Sequence, residues 1–258
     1  MSNAGVFKGQ CAIVTGGATG IGESTAKMLA ADGAEVTIFD IDEAGCARVV
    51  KEIQAAGGRA SARRVDLTDW NATRDAVTAV HDAAGRLDVI VHSAGGFPRY
   101  VNLLDCPVED WDLVVNSNLR SMFYLLKVAG PLMMARRYGR FVTLSSMAAR
   151  SGVNPNPPHY TAAKAGVLGL VLSAAATYAP RGLRVNAVAP GLVRTPLTQR
   201  ITGSPAATQA SQALHALGRL GEPEDVAAVM AWLLGPEATW VTGQCYGVDG
   251  GLGTVRAK

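Results

Sequence analysis

Apolar residues in this chain arrive in short, nearly unbroken runs, each closed by glycine, proline or an acid. Longer stretches with apolar positions three or four apart lie between them. Runs of the first kind read as strands buried on both faces, and the intervening stretches as amphipathic helices. The pattern predicts strands at 10–15, 36–39, 60–65, 87–92, 140–144, 183–189 and 245–248. It predicts helices from the glycines after Thr15 to residue 31, and at 43–56, 69–84, 160–178 and 222–234. A longer helical region at 108–136 is expected to bend at Gly130-Pro131. Asp69 suits the first helix cap it precedes, and the acidic start at Glu222 matches the helix dipole.

Strand alternating with helix throughout means an α/β fold: one doubly wound parallel sheet of about seven strands with helices on both faces. In such a sheet ligands sit beyond the carboxyl ends of the strands. The polar features of interest fall there, just after a strand or at the start of a helix.

Composition narrows the class. At 258 residues, 48% hydrophobic and 17% charged, the chain can bury a large single core, and no linker or repeat divides it. We therefore expect one domain, 1–258. The formal charge of +3 and the lack of a Lys/Arg block give no support to nucleic acid or an anionic membrane as partner. No run approaches the about 18 apolar residues of a membrane span, and the start of the chain has no signal-peptide segment. The four cysteines are scattered, with no CxxC pair and no metal spacing with the four histidines. A cytoplasmic protein with reduced thiols and no metal is the expectation.

Gly16-xxx-Gly20-x-Gly22 follows the first strand. Such a loop lets backbone approach a pyrophosphate and aims helix N–H groups at it, although tight turns also need glycine for steric reasons. Asp40 closes the second strand, where an acid meets the ribose hydroxyls of a bound dinucleotide or else caps the next turn. A 2′-phosphate there would face like charge, and the loop holds no Arg or Lys, so NAD is favoured over NADP. Asp66-Leu67 either meets the adenine edge or forms a simple turn.

Tyr160 and Lys164 are i,i+4 neighbours if the helix predicted there forms. An ammonium beside a phenol favours the phenolate, which would lower the Tyr160 pKa and suit it to exchange protons with an alcohol.

Taken in order, Thr15-Gly16-xxx-Gly20-Ile21-Gly22, Asp66-Leu67, Ser93-Ala94-Gly95, Asn118-Leu119, Ser145-Ser146, Tyr160-xxx-Lys164 and Pro190-Gly191-Leu192-Val193-Arg194-Thr195 resemble the short-chain dehydrogenase/reductase family over nearly the whole chain. The resemblance implies a one-domain Rossmann-like fold, a homotetramer or homodimer, and action on small alcohols and ketones. It implies Ser146 as the residue that hydrogen-bonds the substrate oxygen and Tyr160 as acid/base. Lys164 would bind the nicotinamide ribose, and Asn118 would support a water leading to solvent. For the cofactor it implies Gly16, Thr19, Gly20, Ile21, Gly22, Asp40, Asp66, Leu67, Ser93, Ala94, Gly95, Tyr160, Lys164, Pro190, Gly191, Val193 and Thr195. Ser93 departs from the family's Asn, with His92-Ser93 expected to support the turn instead. The loop between Ser146 and Tyr160 is one residue longer than is common in the family.

The reaction expected is hydride transfer between a secondary alcohol or its ketone and NAD, with an NADP-dependent ketone reductase, such as a 3-oxoacyl-carrier reductase, and an idle nucleotide-binding protein as alternatives. Substrate walls are expected at 96–100, at His159 and its preceding loop, and in a lid around 195–217, with Arg99 or Arg194 free to meet an anion or simply solvated. Cyclic or aromatic-derived alcohols, sugars and 3-hydroxyacyl thioesters all stay open.

Overall fold

The computed structural model describes residues 5–150 and 157–255. Seven strands form one parallel sheet in the order β3-β2-β1-β4-β5-β6-β7. They are β1 (Cys11–Thr15), β2 (Glu35–Asp40), β3 (Arg59–Arg64), β4 (Val89–His92), β5 (Gly139–Leu144), β6 (Leu183–Pro190) and β7 (Cys245–Val248). The order reverses between β1 and β4, which places a crevice beyond their carboxyl ends. The fold is Rossmann-like, as the alternation of apolar runs predicts.

Strand residues alternate between two cores. Ala12, Val14, Val36, Ile38, Val89, Val91, Val142 and Val188 pack on one face, under α1 (Gly20–Ala31), α2 (Glu43–Ala55) and α9 (Pro223–Leu234). Ile13, Phe39, Ile90, Phe141, Val185 and Ala187 pack on the other, under α3 (Trp70–Ala84), α5 (Ser121–Ala135) and α6 (Pro158–Tyr178). Both faces being covered explains why the strands are apolar at successive positions. β3 is the exception. It pairs only with β2, and its sequence RASARR is mostly exposed.

The long helical region departs from expectation. α4 (Val108–Val115) runs into a π turn at Asn116–Arg120 and then into α5. Ser121 N–H donates to Asn116 O, five residues back, so the helix is widened there. Pro131 lies inside α5 and no separate helix begins at it. Gly130 serves close approach: a Cβ there would lie 2.6 Å from the Tyr178 ring, whose hydroxyl donates to Leu126 O at 3.0 Å. By length and composition one helix, spanning Pro158–Arg181 with mean hydropathy 1.4, is apolar enough to cross a membrane. Here α6 packs against β6 and α4 and buries Lys164. The segment 195–217 contains α7 (Pro196–Gln199) and α8 (Pro205–Ala213).

Candidate active site

A cleft of about 600 Å³ runs along the carboxyl ends of the strands. At its nucleotide end, Gly16 follows β1 with φ +64° and Gly20 opens α1 with φ +59°. A Cβ on Gly16 would lie 2.7 Å from Ala94 N, and one on Gly22 would lie 2.1 Å from Gly16 O. Only glycine lets this loop close on itself and on the Ser93-Ala94 turn. Thr19, the N-cap of α1, makes no side-chain cap hydrogen bond. The first N–H groups of a 12-residue helix therefore point into the cleft without a partner from the cap, which is what a pyrophosphate needs.

Thr15 locks the next turn: its buried hydroxyl accepts from Ser93 N and Ala94 N, each at 3.2 Å. Thr15 carries part of the sequence resemblance, yet nothing in the sequence reveals this bond. Asp40 lines the cleft at the end of β2, with its carboxylate accepting from Ala18 N and Asp42 N at 3.1 Å each. The cap of α2 is Asp42, not Asp40. Arg48 reaches the glycine loop from α2 and donates to Ala18 O at 2.9 Å. Its guanidinium is held by Glu23 at 2.6 Å and Glu52 at 3.0 Å. Asp66 accepts from Thr68 N and Thr68 Oγ1, so it is a turn residue that also lines the cleft, beside Leu67.

Midway along the cleft the strands β5 and β6 and helix α6 bring Ser146, Tyr160 and Lys164 together. Ser146 stands beside the Tyr160 hydroxyl, and its Oγ accepts from Ala148 N at 3.1 Å. Ser145 is buried and donates to Lys164 O at 2.9 Å, a bracing role for the helix. Lys164 is 3% exposed and donates from Nζ to Leu144 O at 2.9 Å. Its Nζ lies 5.5 Å from the Tyr160 ring centroid. An ammonium has three N–H donors, so two remain for other partners.

The expected acidification of Tyr160 is not seen. Burial pushes its phenol up to about 12, opposed by the Ser146 hydroxyl beside it. Burial also pushes Lys164 down to about 7. The reason is geometric: the amine is buried and engaged with the Leu144 carbonyl rather than with the phenol oxygen.

Asn118 sits fully buried in the π turn, outside the cleft lining. Its amide donates to Gly96 O at 2.8 Å and Val114 O at 2.9 Å, while its Oδ1 has no hydrogen-bond partner. A Cβ on Gly95 would lie 2.3 Å from that oxygen. The side chain thus fixes the Ser93-Ala94-Gly95-Gly96 turn against the helix. His92, behind the turn, is buried between Thr143 Oγ1 and Ser121 Oγ, each at 3.0 Å. Ser121 Oγ donates to Ser117 O at 2.7 Å, so it receives its bond from His92 Nε2–H. Burial and, secondarily, Lys164 hold this histidine's pKa down to about 3.

At the far end Pro190, Gly191, Val193 and Thr195 follow β6 and line the cleft. A Cβ on Gly20 would lie 3.1 Å from Thr195 Cγ2, which brings this loop against the glycine loop. His215 accepts from Leu192 N at 3.2 Å and holds the same loop from α8's end, a role no sequence signal marks. Phe97 stacks edge-on against Tyr160 with centroids 4.8 Å apart, and against Tyr100 at 5.2 Å. One expected substrate wall falls elsewhere, and the two arginines left open between an anion and solvent are ion-paired. His159 is buried, lies outside the cleft lining, and neither ring nitrogen is hydrogen-bonded. Arg99 pairs with Asp110 at 2.7 Å and Arg194 with Glu222 at 2.9 Å. The loop preceding His159 falls on 151–156, outside the described residues.

A family model described as enoyl-(acyl carrier protein) reductase matches residues 16–253. The chain belongs to the short-chain dehydrogenase/reductase family. The family is one of oxidoreductases that use nicotinamide cofactors, act on small molecules and are typically oligomeric. Among its relatives is the 3-oxoacyl-(acyl-carrier-protein) reductase of Thermotoga maritima, 38% identical over 95% of this chain and 98% of that one. Another is the cis-4-hydroxycyclohexanecarboxylate dehydrogenase of Sinomonas cyclohexanicum, 41% identical over 96% of this chain and 98% of that one. The crystal structure of levodione reductase superposes with a TM-score of 0.92 at 29% identity, covering 96% of this chain and 99% of that one.

The cleft fits a dinucleotide. The side-chain-free glycine cradle, the uncapped start of α1, the carboxylate at Asp40 and the two spare donors of Lys164 line one continuous groove.

Proposed function

We propose that this chain is an NAD-dependent dehydrogenase that interconverts a secondary alcohol and its ketone. The observation behind this reading is that Ser146, Tyr160 and Lys164 line the same cleft as the uncapped N-terminus of α1. Gly16, Thr19, Gly20 and Ile21 would hold the pyrophosphate, with Gly22, outside the cleft lining, letting their loop close; Asp40 would hold the adenosine ribose, and Asp66-Leu67 the adenine. Ser93-Ala94-Gly95 would flank the ribose, while Pro190, Gly191, Val193 and Thr195 would orient the nicotinamide. The nicotinamide supplies the carbon that accepts or returns the hydride.

The protein's own part is orientation and proton handling. The hydroxyls of Ser146 and Tyr160 hold the substrate oxygen between them. Tyr160 removes its proton during oxidation and returns it during reduction. Lys164, when protonated, favours the phenolate that burial otherwise opposes. Asn118 acts at a distance by holding the π turn and the Gly96 carbonyl. Asp40, a carboxylate at the cleft end of β2, supports NAD over NADP. The relative named as a 3-oxoacyl-carrier reductase keeps an NADP-dependent ketone reductase as the second reading. An idle binding protein has no use for the assembled Ser146, Tyr160 and Lys164. The segment 195–217 is read as a substrate lid, the assembly as a homotetramer or homodimer, and the location as cytoplasmic.

The test is NADH formation over a panel of secondary alcohols. Turnover that depends on Tyr160 supports the reading. NADH binding without turnover of any alcohol or ketone removes it.

A further inference from the structure

Resting on that reading of the site, we propose that the substrate is a compact, uncharged, ring-bearing secondary alcohol or ketone. Three features of the cleft carry the inference.

The first is charge. Among the described residues that line the cleft, the ionisable groups are Asp40 and Asp66 at the ends of β2 and the β3 side, and the Tyr160–Lys164 pair. None of them is a cation placed beyond Tyr160 to receive an anionic substituent. Of the arginines near the mouth, Arg99 is paired with Asp110 at 2.7 Å and Arg194 with Glu222 at 2.9 Å, while Arg200, on the outer wall, turns one nitrogen to the carbonyls of Phe97 and Pro98. A carboxylate or phosphate on the part of a substrate beyond Tyr160 would lose water and meet no cation among the described residues that line the cleft there.

The second is wall chemistry. Phe97, Leu113 and Leu197 line the cleft around Tyr160, and the Phe97 ring stands edge-on to the Tyr160 ring at 4.8 Å and 63°. Apolar, partly aromatic walls beside a hydroxyl pair suit a flat or chair-shaped hydrocarbon ring bearing one oxygen.

The third is closure. Leu197, at the start of the 195–217 segment, reaches within 3.2 Å of where a Cβ on Gly96 would stand. Arg200 ties the same segment to the Phe97-Pro98 backbone on the opposite wall. The segment therefore bridges the mouth at this point, leaving room for a compact substrate rather than a long thioester arm.

The experiment measures kcat/KM of the full-length enzyme with NAD for cyclohexanol and for cis-4-hydroxycyclohexanecarboxylate. It also measures NADH-dependent reduction of an acetoacetyl pantetheine thioester. Cyclohexanol should exceed each of the other two by at least about thirtyfold, and Leu113→Arg should narrow its lead over the carboxylate at least tenfold. A carboxylate or thioester used equally well or better overturns the proposal. A parallel measurement needs no turnover: cyclohexanone should raise the melting temperature of the enzyme–NADH complex more than cyclohexanecarboxylate at equal concentration, and the reverse order overturns it. Stabilisation by cyclohexanone with no turnover of anything would sink the dehydrogenase reading while leaving the ligand class standing.

Discussion

The Asp40→Asn exchange separates charge from shape at the ribose end of the cleft. In the native chain the carboxylate is held by Ala18 N–H and Asp42 N–H, each at 3.1 Å. Asparagine keeps the size and one acceptor oxygen. The N–H that loses its partner can turn to water if it belongs to Asp42, which is exposed. The loop should therefore survive while the charge disappears. A 2′-phosphate about 4 Å from the carboxylate is repelled by roughly 1 kcal/mol under bulk-water screening and roughly 4 kcal/mol near a protein surface. That corresponds to about fivefold to several hundredfold in Kd. Arg48 adds no net charge, because it and Lys27 are together balanced by Glu23 and Glu52. Fluorescence titration of NADH and NADPH into both proteins reads the effect directly. The native enzyme should bind NADH more tightly, and the ratio of the NADPH to the NADH Kd should fall by at least about fivefold in Asp40→Asn. The native ratio should also shrink as salt is raised, since the repulsion is screened. A ratio that moves less than about twofold would show that Asp40 does not face the ribose. Tighter NADPH binding by the native chain would favour the NADP-dependent reading.

Three further outcomes are expected. Tyr160→Phe keeps the ring against Phe97 but removes the proton carrier, so kcat should fall about 10²- to 10⁴-fold with NADH affinity nearly unchanged; steady-state rates within threefold of native would refute its role. His92 has its pKa held down to about 3 in the fold, against about 6.5 when unfolded. The unfolded chain therefore takes up a proton that the fold refuses, and stability is lost as pH falls from about 6.5 toward 3. Denaturant midpoints should show a loss on the order of 2 kcal/mol between pH 7 and pH 5, reduced in His92→Asn; equal slopes in both proteins count against it. Phe123 on α5 and Leu172 on α6 are 45% and 61% exposed, as an isologous helix interface would require, so sedimentation at micromolar protein should give a dimer or tetramer. A clean monomer ends that reading.

The fold was legible because strands buried on both faces leave an unmistakable run of apolar residues. Even β3, exposed at the sheet edge, was marked by its flanking glycines and Asp66. The π turn was not legible. Asn116-Ser117-Asn118 has no spacing signature, and the bond that ties this turn to Gly96 O spans 22 positions. The residues of the cleft were found through motif order. What was missed was the bracing behind them: Thr15 under the Ser93 turn, His92 between Thr143 and Ser121, and His215 on Leu192. These partners lie 78, 51 or 23 positions away, so no local pattern announces them. The shift of the Tyr160 phenol is not legible in the sequence for a related reason. Helix spacing placed an amine nearby, but only the fold shows that burial dominates and that the Leu144 carbonyl occupies the amine.

The 2.1 Å between Gly16 O and the position a Gly22 Cβ would take has a consequence for how this enzyme could be probed. A saturation scan scored only by product formation would rank Gly22 beside Tyr160 as irreplaceable. One is a proton carrier and the other is an absence of matter. Telling them apart requires a second score, such as retention on an immobilised nucleotide, in which Tyr160→Phe passes and Gly22→Ala fails.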